Sequence, residues 1–227
     1  MTPTTQTGMR QDETLDDLRV RLAPLIAANA GFDGWTAKAV EMTAEQAGID
    51  KDIAALAFKD GPVSMISAWF ASVDVAMLAR FTPETLAAMK IRARITALVE
   101  ARLTLLAPHR EALRRAQAIL AMPKHVGKAA QLGWHAADVM WRAAGDTAVD
   151  YNHYTKRATL GTVYAATLLT FVNDESEDFA ETRAFLGRRI EDIMRFEKAK
   201  ARLRDQSDMH FSPARFLGRL RYRASQR

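Results

Sequence analysis

Five histidines and no cysteine bound the metal and nucleophile chemistry open to this 227-residue chain. Without thiols there are no disulfides and no thiolate ligands. One carboxylate–imidazole spacing occurs, Asp150-x-x-His153, but a single pair does not hold a catalytic metal without further ligands. No histidine follows a glutamate by three residues, so the Glu-x-x-His pairs of di-iron helical bundles are absent. His109, His125 and His135 fall near helix starts or on mixed faces, where capping or solvation accounts for them better than acid–base work. GxGxxG, a Walker loop, GxSxG and HExxH do not occur. The sequence is expected to use no cofactor, no metal and no catalytic residue.

Interaction chemistry concentrates instead in DVMWRAAGDTAVDYNHYTKR, from Asp138 to Arg157. Aromatic, acidic and basic side chains gather there around Gly145. Met140 and Trp141 are adjacent and point about 100° apart on a helix, so both are not expected to face the core. Tyr154 and Arg157 are three apart and share a face. Large apolar groups beside Asp and Arg suit a protein-binding hot spot. A capped corner with a buried tryptophan accounts for the same residues equally well.

The elements that must position this segment are helical. Gly, Pro and Asn/Ser punctuation leaves 3.6-residue spacing between the marks and no sustained alternation. Long helices are predicted over 62–80, 83–107, 109–121, 124–144, 150–172 and 176–205, after a small helical group over 13–60. Thr82-Pro83-Glu84 is a start signal, as is Ser176-Glu177-Asp178, while Pro24 is expected to split or kink the first helix. Gly34-Trp35-Thr36, the helix to Ala47, Gly48, then Ile49–Phe58 follow the order of the helix-turn-helix in TetR-type regulators. The recognition position carries Asp50, Lys51 and Asp52 and no arginine, and carboxylates there repel phosphates. The expected units are a disordered tail over 1–12, a helix-turn-helix-like subdomain over 13–60, a helical body over 61–205, and a linker with a last helix over 206–227.

That last helix, capped by Ser212 and begun by Pro213, sets Phe216, Leu217, Leu220 and Ala224 on one stripe. Arg215 and Arg219 lie opposite, and Arg221 and Arg223 flank the stripe. This is the layout of an interfacial helix with its arginines at anionic headgroups, each worth about 1 kcal/mol; docking on its own protein or on nucleic acid is the alternative. Residues 198–227 hold nine Lys/Arg against two Asp/Glu, whereas 1–197 hold 23 against 25, so the basicity sits in the tail and not on a DNA-binding body. In the body, Leu160, Val163, Tyr164, Leu168 and Phe171 form a stripe with Gly161 and Ala165 leaving space beside it, and Leu98, Leu105 and Ile119 could line an opposing wall. A filled core is the competing reading.

Asp138-Val-Met140-Trp141, Ala144-Gly145-Asp146, Asp150 and Tyr154-Thr155-Lys156-Arg157 together resemble the hallmark of the Coq-nine lipid-binding family of ubiquinone biosynthesis. Trp35-Thr36, Phe58-Lys59-Asp60-Gly61, Ala121-Met122-Pro123 and Phe179 with Thr182-Arg183 and Phe185-Leu186 resemble it in the same order, over about residues 12–197. The position before Tyr154, commonly tryptophan in that family, is His153. The resemblance implies an all-α, TetR-like homodimer without DNA binding or enzymatic activity. It also implies a pocket for an isoprenoid quinone or phospholipid in the body, and an amphipathic helix on a membrane surface. Its partner would be the di-iron hydroxylase acting on demethoxyubiquinone, facing Asp138, Met140, Asp150, Tyr154 and Arg157.

The sequence has 48% hydrophobic residues and a mean hydropathy of −0.17, with no apolar run long enough to span a bilayer. No secretory or organelle signal is visible in residues 1–12. The expected location is cytoplasmic, peripheral on the inner face of a bacterial membrane. A TetR-type ligand-responsive regulator is the alternative function, and the acidic recognition helix counts against it.

Overall fold

Local chemistry sets the helix ends. In the computed structural model, which describes residues 13–147 and 151–209, Thr14 opens α1 (Leu15–Asp33) with a capping box. Its hydroxyl accepts from the Asp17 N–H, and the Asp17 carboxylate accepts from the Thr14 N–H. Side-chain oxygens of Thr36, Asp50 and Thr82 likewise cap α2 (Ala37–Ala47), α3 (Lys51–Ala57) and α5 (Pro83–Ala87). Gly48, left-handed at φ 66°, turns α2 into α3. The other helices are α4 (Pro62–Leu78), α6 (Ile91–Leu106), α7 (Arg110–Leu120), α8 (Val126–Ala143), α9 (Tyr151–Asn173) and α10 (Ala180–Met209). Single 3₁₀ turns lead into α7, α8 and α10. The described residues form no strand, as the helical spacing predicts.

One apolar core runs from Leu18 on α1 through Trp69 and Leu98 to Phe171 and Ile190, each such side chain contributing about 1.5–3 kcal/mol on burial. It crosses the boundary expected at residues 60–61, because α1 packs against α4 and α7 as well as α2. Trp35 Nε1 donates to the Ala112 carbonyl on α7 at 3.0 Å, and Arg19 Nε donates to the Ala57 carbonyl at the end of α3 at 2.5 Å. In the second half of the fold α8 pairs with α9, and α9 with α10.

Four expectations give way. Pro24 lies inside α1 without ending it; the hydrogen bond it cannot donate is outweighed by the buried face of Leu22, Ala23, Ile26 and Ala27. The single helix expected over 83–107 breaks into α5 and α6. Arg94 donates to the Ala87 and Met89 carbonyls at 2.9 Å each, satisfying the end of α5. The expected linker from Asp205 is helical to Met209. Met140 and Trp141 are both buried, since α8 is covered by α9 and also by α4 and α6. Residues 1–12, and the last helix with Arg215, Phe216, Leu217, Arg219 and Leu220, lie outside the described residues.

The turn into α10 is fixed by Asp174, whose carboxylate accepts from the backbone N–H and hydroxyl of both Ser176 and Thr182 at 2.5–2.8 Å. Burial pushes this carboxyl up, and those four hydrogen bonds outweigh it and hold it well below the usual range. Asp178 and Phe179 take left-handed φ of 51° and 56° to complete the corner. Substituting Asp174→Ala strands four donors. It is expected to lower unfolding free energy by about 1–3 kcal/mol, read as a lower urea midpoint at unchanged slope.

Candidate functional site

The segment from Asp138 to Arg157 folds as a helix–corner–helix closed by one cation. Gly145, at φ 89°, ends α8 in a Schellman-type turn: its N–H bonds the Arg142 carbonyl and the Asp146 N–H bonds the Trp141 carbonyl, each at 2.9 Å. Arg157, 1% exposed on α9, donates Nε to Asp138 Oδ1 at 2.5 Å. Its Nη1 donates to Asp146 Oδ2 at 3.0 Å and to the His153 carbonyl at 3.2 Å. Lys156 Nζ bonds the other Asp146 oxygen at 2.7 Å and lies 5.2 Å over the Trp141 ring. Trp141 Nε1 returns a bond to the Lys156 carbonyl at 3.0 Å. Burial raises the Asp138 and Asp146 carboxyls. The hydrogen bonds and charges of Arg157, with Arg142 at Asp138 and Lys156 at Asp146, outweigh it and hold both below the ordinary carboxylate value.

Outside this clamp stands an aromatic group. Tyr154 is 60% exposed, and the half-buried Trp134 of α8 lies 6.1 Å from its ring and 6.4 Å from that of His153. Near Trp134 a groove of about 510 Å³ runs between α8 and α9, with Gly133 and Gly161 at its floor. A Cβ added at Gly161 would meet the Gly133 carbonyl oxygen at 3.1 Å, so the bare Cα of Gly161 lets the two backbones touch. Ala129, Gly133 and Ala165 also line a second, apolar pocket of about 220 Å³, walled by Phe70, Leu132, Tyr164, Leu168 and Leu169. At its polar end Arg102, 1% exposed, is ion-paired with Asp74, and its Nε donates to Tyr164 Oη at 2.9 Å.

The expected site residues separate accordingly. Tyr154 faces outward; Met140 is fully buried and Arg157 is turned inward on its two carboxylates, so neither presents a surface. Asp138 is partly covered and held by Arg142 and Arg157, and Asp150 lies outside the described residues. Tyr164 and Leu168 line the pocket as expected. Phe171 does not: it is core, stacked 4.8 Å from Phe179 beneath Arg110. Leu98 is core beside a separate recess with Leu78 and Phe81, and Leu105 and Ile119 pack on the core outside both the pocket and the groove. Gly161 makes room for a backbone before any ligand. Trp134, Asp74 and Arg102 escaped the sequence reading, although Asp74 is the one charged residue of α4, a signal for a buried partner. Among the described residues no group of three or more His, Asp or Glu is placed to hold a metal, and no single helix is long and apolar enough to cross a membrane.

With ten helices among the described residues, a helix-turn-helix-like entry and an apolar pocket beside a clamped helical corner, the protein has a TetR-like fold. The fold matches the crystal structure of a TetR transcriptional regulator from Nitrosomonas europaea with a TM-score of 0.58 and 24% identity, over 78% of this chain and 97% of that one. Residues 126–197, which contain the clamp, match the COQ9 family model. That segment is what the chain shares with the COQ9 family. It is 30% identical to the human ubiquinone biosynthesis protein COQ9, mitochondrial, over 80% of this chain and 59% of that protein. The rat protein of the same name is 30% identical, over 84% of this chain and 64% of its own length. The chain thus spans about three fifths of these relatives' length. The expectation of a cytoplasmic protein on a bacterial membrane is overturned, since the human, rat, bovine and Drosophila relatives are all named mitochondrial. Missing cysteines constrain bonding chemistry and not address, and the composition of twelve residues does not report a compartment.

Substituting Arg157→Met removes the cation that Asp138 and Asp146 share, leaving each its one remaining partner, Arg142 or Lys156, and is expected to cost about 1–3 kcal/mol. Asp146 has a folded value depressed below its unfolded one, so its contribution is complete above about pH 4 and is lost as pH falls through the lower folded value. Urea unfolding of Asp146→Asn is expected to show a lower midpoint at pH 7 and a shallower decline than the wild type below about pH 4.

Proposed function

We propose that this protein is a non-catalytic, lipid-binding accessory of ubiquinone biosynthesis. It takes an isoprenoid quinone intermediate at a membrane into the α7–α9 region and presents it to the di-iron demethoxyubiquinone hydroxylase. The observation that carries this reading is an apolar pocket beside a groove between α8 and α9, the two sharing Ala129, Gly133 and Ala165, with the groove reaching Trp134 next to Tyr154. Kinship with proteins named for ubiquinone biosynthesis supports the pathway. The relatives' names give no reaction, and the site offers surface and shelter rather than a nucleophile–base pair. Tyr154, with Trp134 and His153 beside it, is the anchor proposed for the hydroxylase, since exposed aromatics supply most of the energy at such contacts. Asp138 and Arg157 hold that anchor in place from beneath. A homodimer belongs to the same proposal, as does membrane contact through Phe216, Leu217 and Leu220 with Arg215 and Arg219.

DNA reading is the weaker use of the same fold. The basic residue of α3, Lys51, is ion-paired with Glu45 at 2.5 Å and flanked by the Asp50 cap and Asp52.

Native mass spectrometry of the full chain purified from a quinone-producing host is expected to show a co-purified prenylated quinone or precursor; a ligand-free protein would overturn the lipid reading. Tyr154→Ala is expected to weaken binding to the purified hydroxylase at least tenfold by calorimetry, a hot-spot effect, with an unchanged urea midpoint. Unchanged affinity would remove Tyr154 from the interface.

A further inference from the structure

The pocket between α4, α6, α7, α8 and α9 is apolar apart from Gln117 on α7 and the Arg102–Tyr164 end. Arg102 Nη1 is bonded to Asp74 and its Nε to the Tyr164 hydroxyl oxygen. The Nη2 group has no hydrogen-bond partner among the described residues, and the Tyr164 hydroxyl accepts from Arg102 without donating to any of them. Arg102 is 1% exposed and Tyr164 is 4% exposed, and both line the pocket. Among the described residues the sealed side-chain atom left without a partner is Arg110 Nε, so the Arg102 Nη2 group opens on accessible space, where a ligand oxygen can take up its donors.

From this we infer that the Arg102–Tyr164 end of the pocket recognises the head of an apolar ligand through a neutral carbonyl oxygen, with the tail directed into the α8–α9 groove. The inference rests on the lipid-binding reading and specifies which way round the lipid sits and what its head must carry. Charge decides between heads. Asp74 already neutralises Arg102, and its second oxygen lies 3.6 Å from the exposed His135. A carboxylate or phosphate head would bring a further negative charge beside Asp74 in a poorly solvated site, which is unfavourable. A carbonyl accepts both donors and adds no charge. Size decides the direction. The pocket, about 220 Å³, falls below the roughly 300–1,000 Å³ of sites that enclose a drug-sized ligand. It admits a head and the start of a tail, while the rest follows the groove of about 510 Å³ that shares Ala129, Gly133 and Ala165 with it.

The test is calorimetric titration of the full chain with three ligands of equal tail length: decylubiquinone, decylbenzene and decanoate. Decylubiquinone is expected to bind the wild type at least roughly tenfold tighter than either of the others, the scale of one hydrogen bond to a charged donor. The charge-balanced double variant Asp74→Asn with Arg102→Gln is expected to lose that preference while binding decylbenzene as before, and Tyr164→Phe to reduce it. Equal wild-type affinity for decylubiquinone and decylbenzene would overturn head recognition and leave the lipid-binding reading standing. Tighter binding of decanoate would overturn the choice of a neutral head. Binding of none of the three would overturn the lipid-binding reading itself. If the double variant fails to fold, Arg102→Lys serves in its place, keeping the charge on Asp74 while removing the guanidinium fork; an unchanged preference in it would overturn the role of Arg102.

Discussion

A cation sealed under a helical corner is the constraint on which the second half of this fold depends. Arg157 is taken out of water, and an isolated charge in that position costs several kcal/mol. It is tolerated because Asp138 on α8, Asp146 after Gly145 and the His153 carbonyl converge on it within 3.2 Å. Satisfying Arg157 therefore fixes where α8 ends, how the chain turns and how α9 begins. With that end of the pair closed, contact of the backbones at Gly133 and Gly161 sets the spacing further along, and the space left beyond the contact becomes pocket and groove. An apolar substitute of equal volume would spare the charge. It would not define the turn, because apolar contact carries no direction.

Much of this was legible in the sequence. Thr82-Pro83-Glu84, the glycine between α2 and α3, and the 3.6-residue spacing gave the order and most of the ends of the helices, since caps and periodicity act within a few residues. The corner was visible as a cluster of charges around Gly145. Its inward direction was not, because a helix alone does not tell which of Asp138, Met140, Tyr154 and Arg157 a neighbouring helix will cover. Met140 is covered by helices distant in sequence, and Arg157 turns toward acids 11 and 19 residues away. The break between α5 and α6 carries no proline or glycine; it depends on Arg94, which collects carbonyls after the helices have met. Asp74 and Arg102 are 28 residues apart, beyond any local pattern, though a lone acid in an otherwise apolar helix carries its own warning.

The two buried arginines among the described residues do different work. Arg157 spends its donors on protein oxygens and holds a corner. Arg102 spends part of them, on Asp74 and Tyr164, and borders an apolar space. Saturation makes the first a structural tie. Incomplete saturation gives the second a direction in a pocket whose other walls, Gln117 apart, carry none.

The bond from Trp35 to the Ala112 carbonyl has a bearing on the ancestry of the fold. A reading head for double-helical DNA has to shift against its twin to match the pitch of the grooves. In this chain the first three helices are keyed into the body by that bond and by a core shared with α4 and α7. What has the outline of a detachable instrument serves as a keystone: cut away near residue 60, it would strip the faces of α4 and α7 that pack on α1.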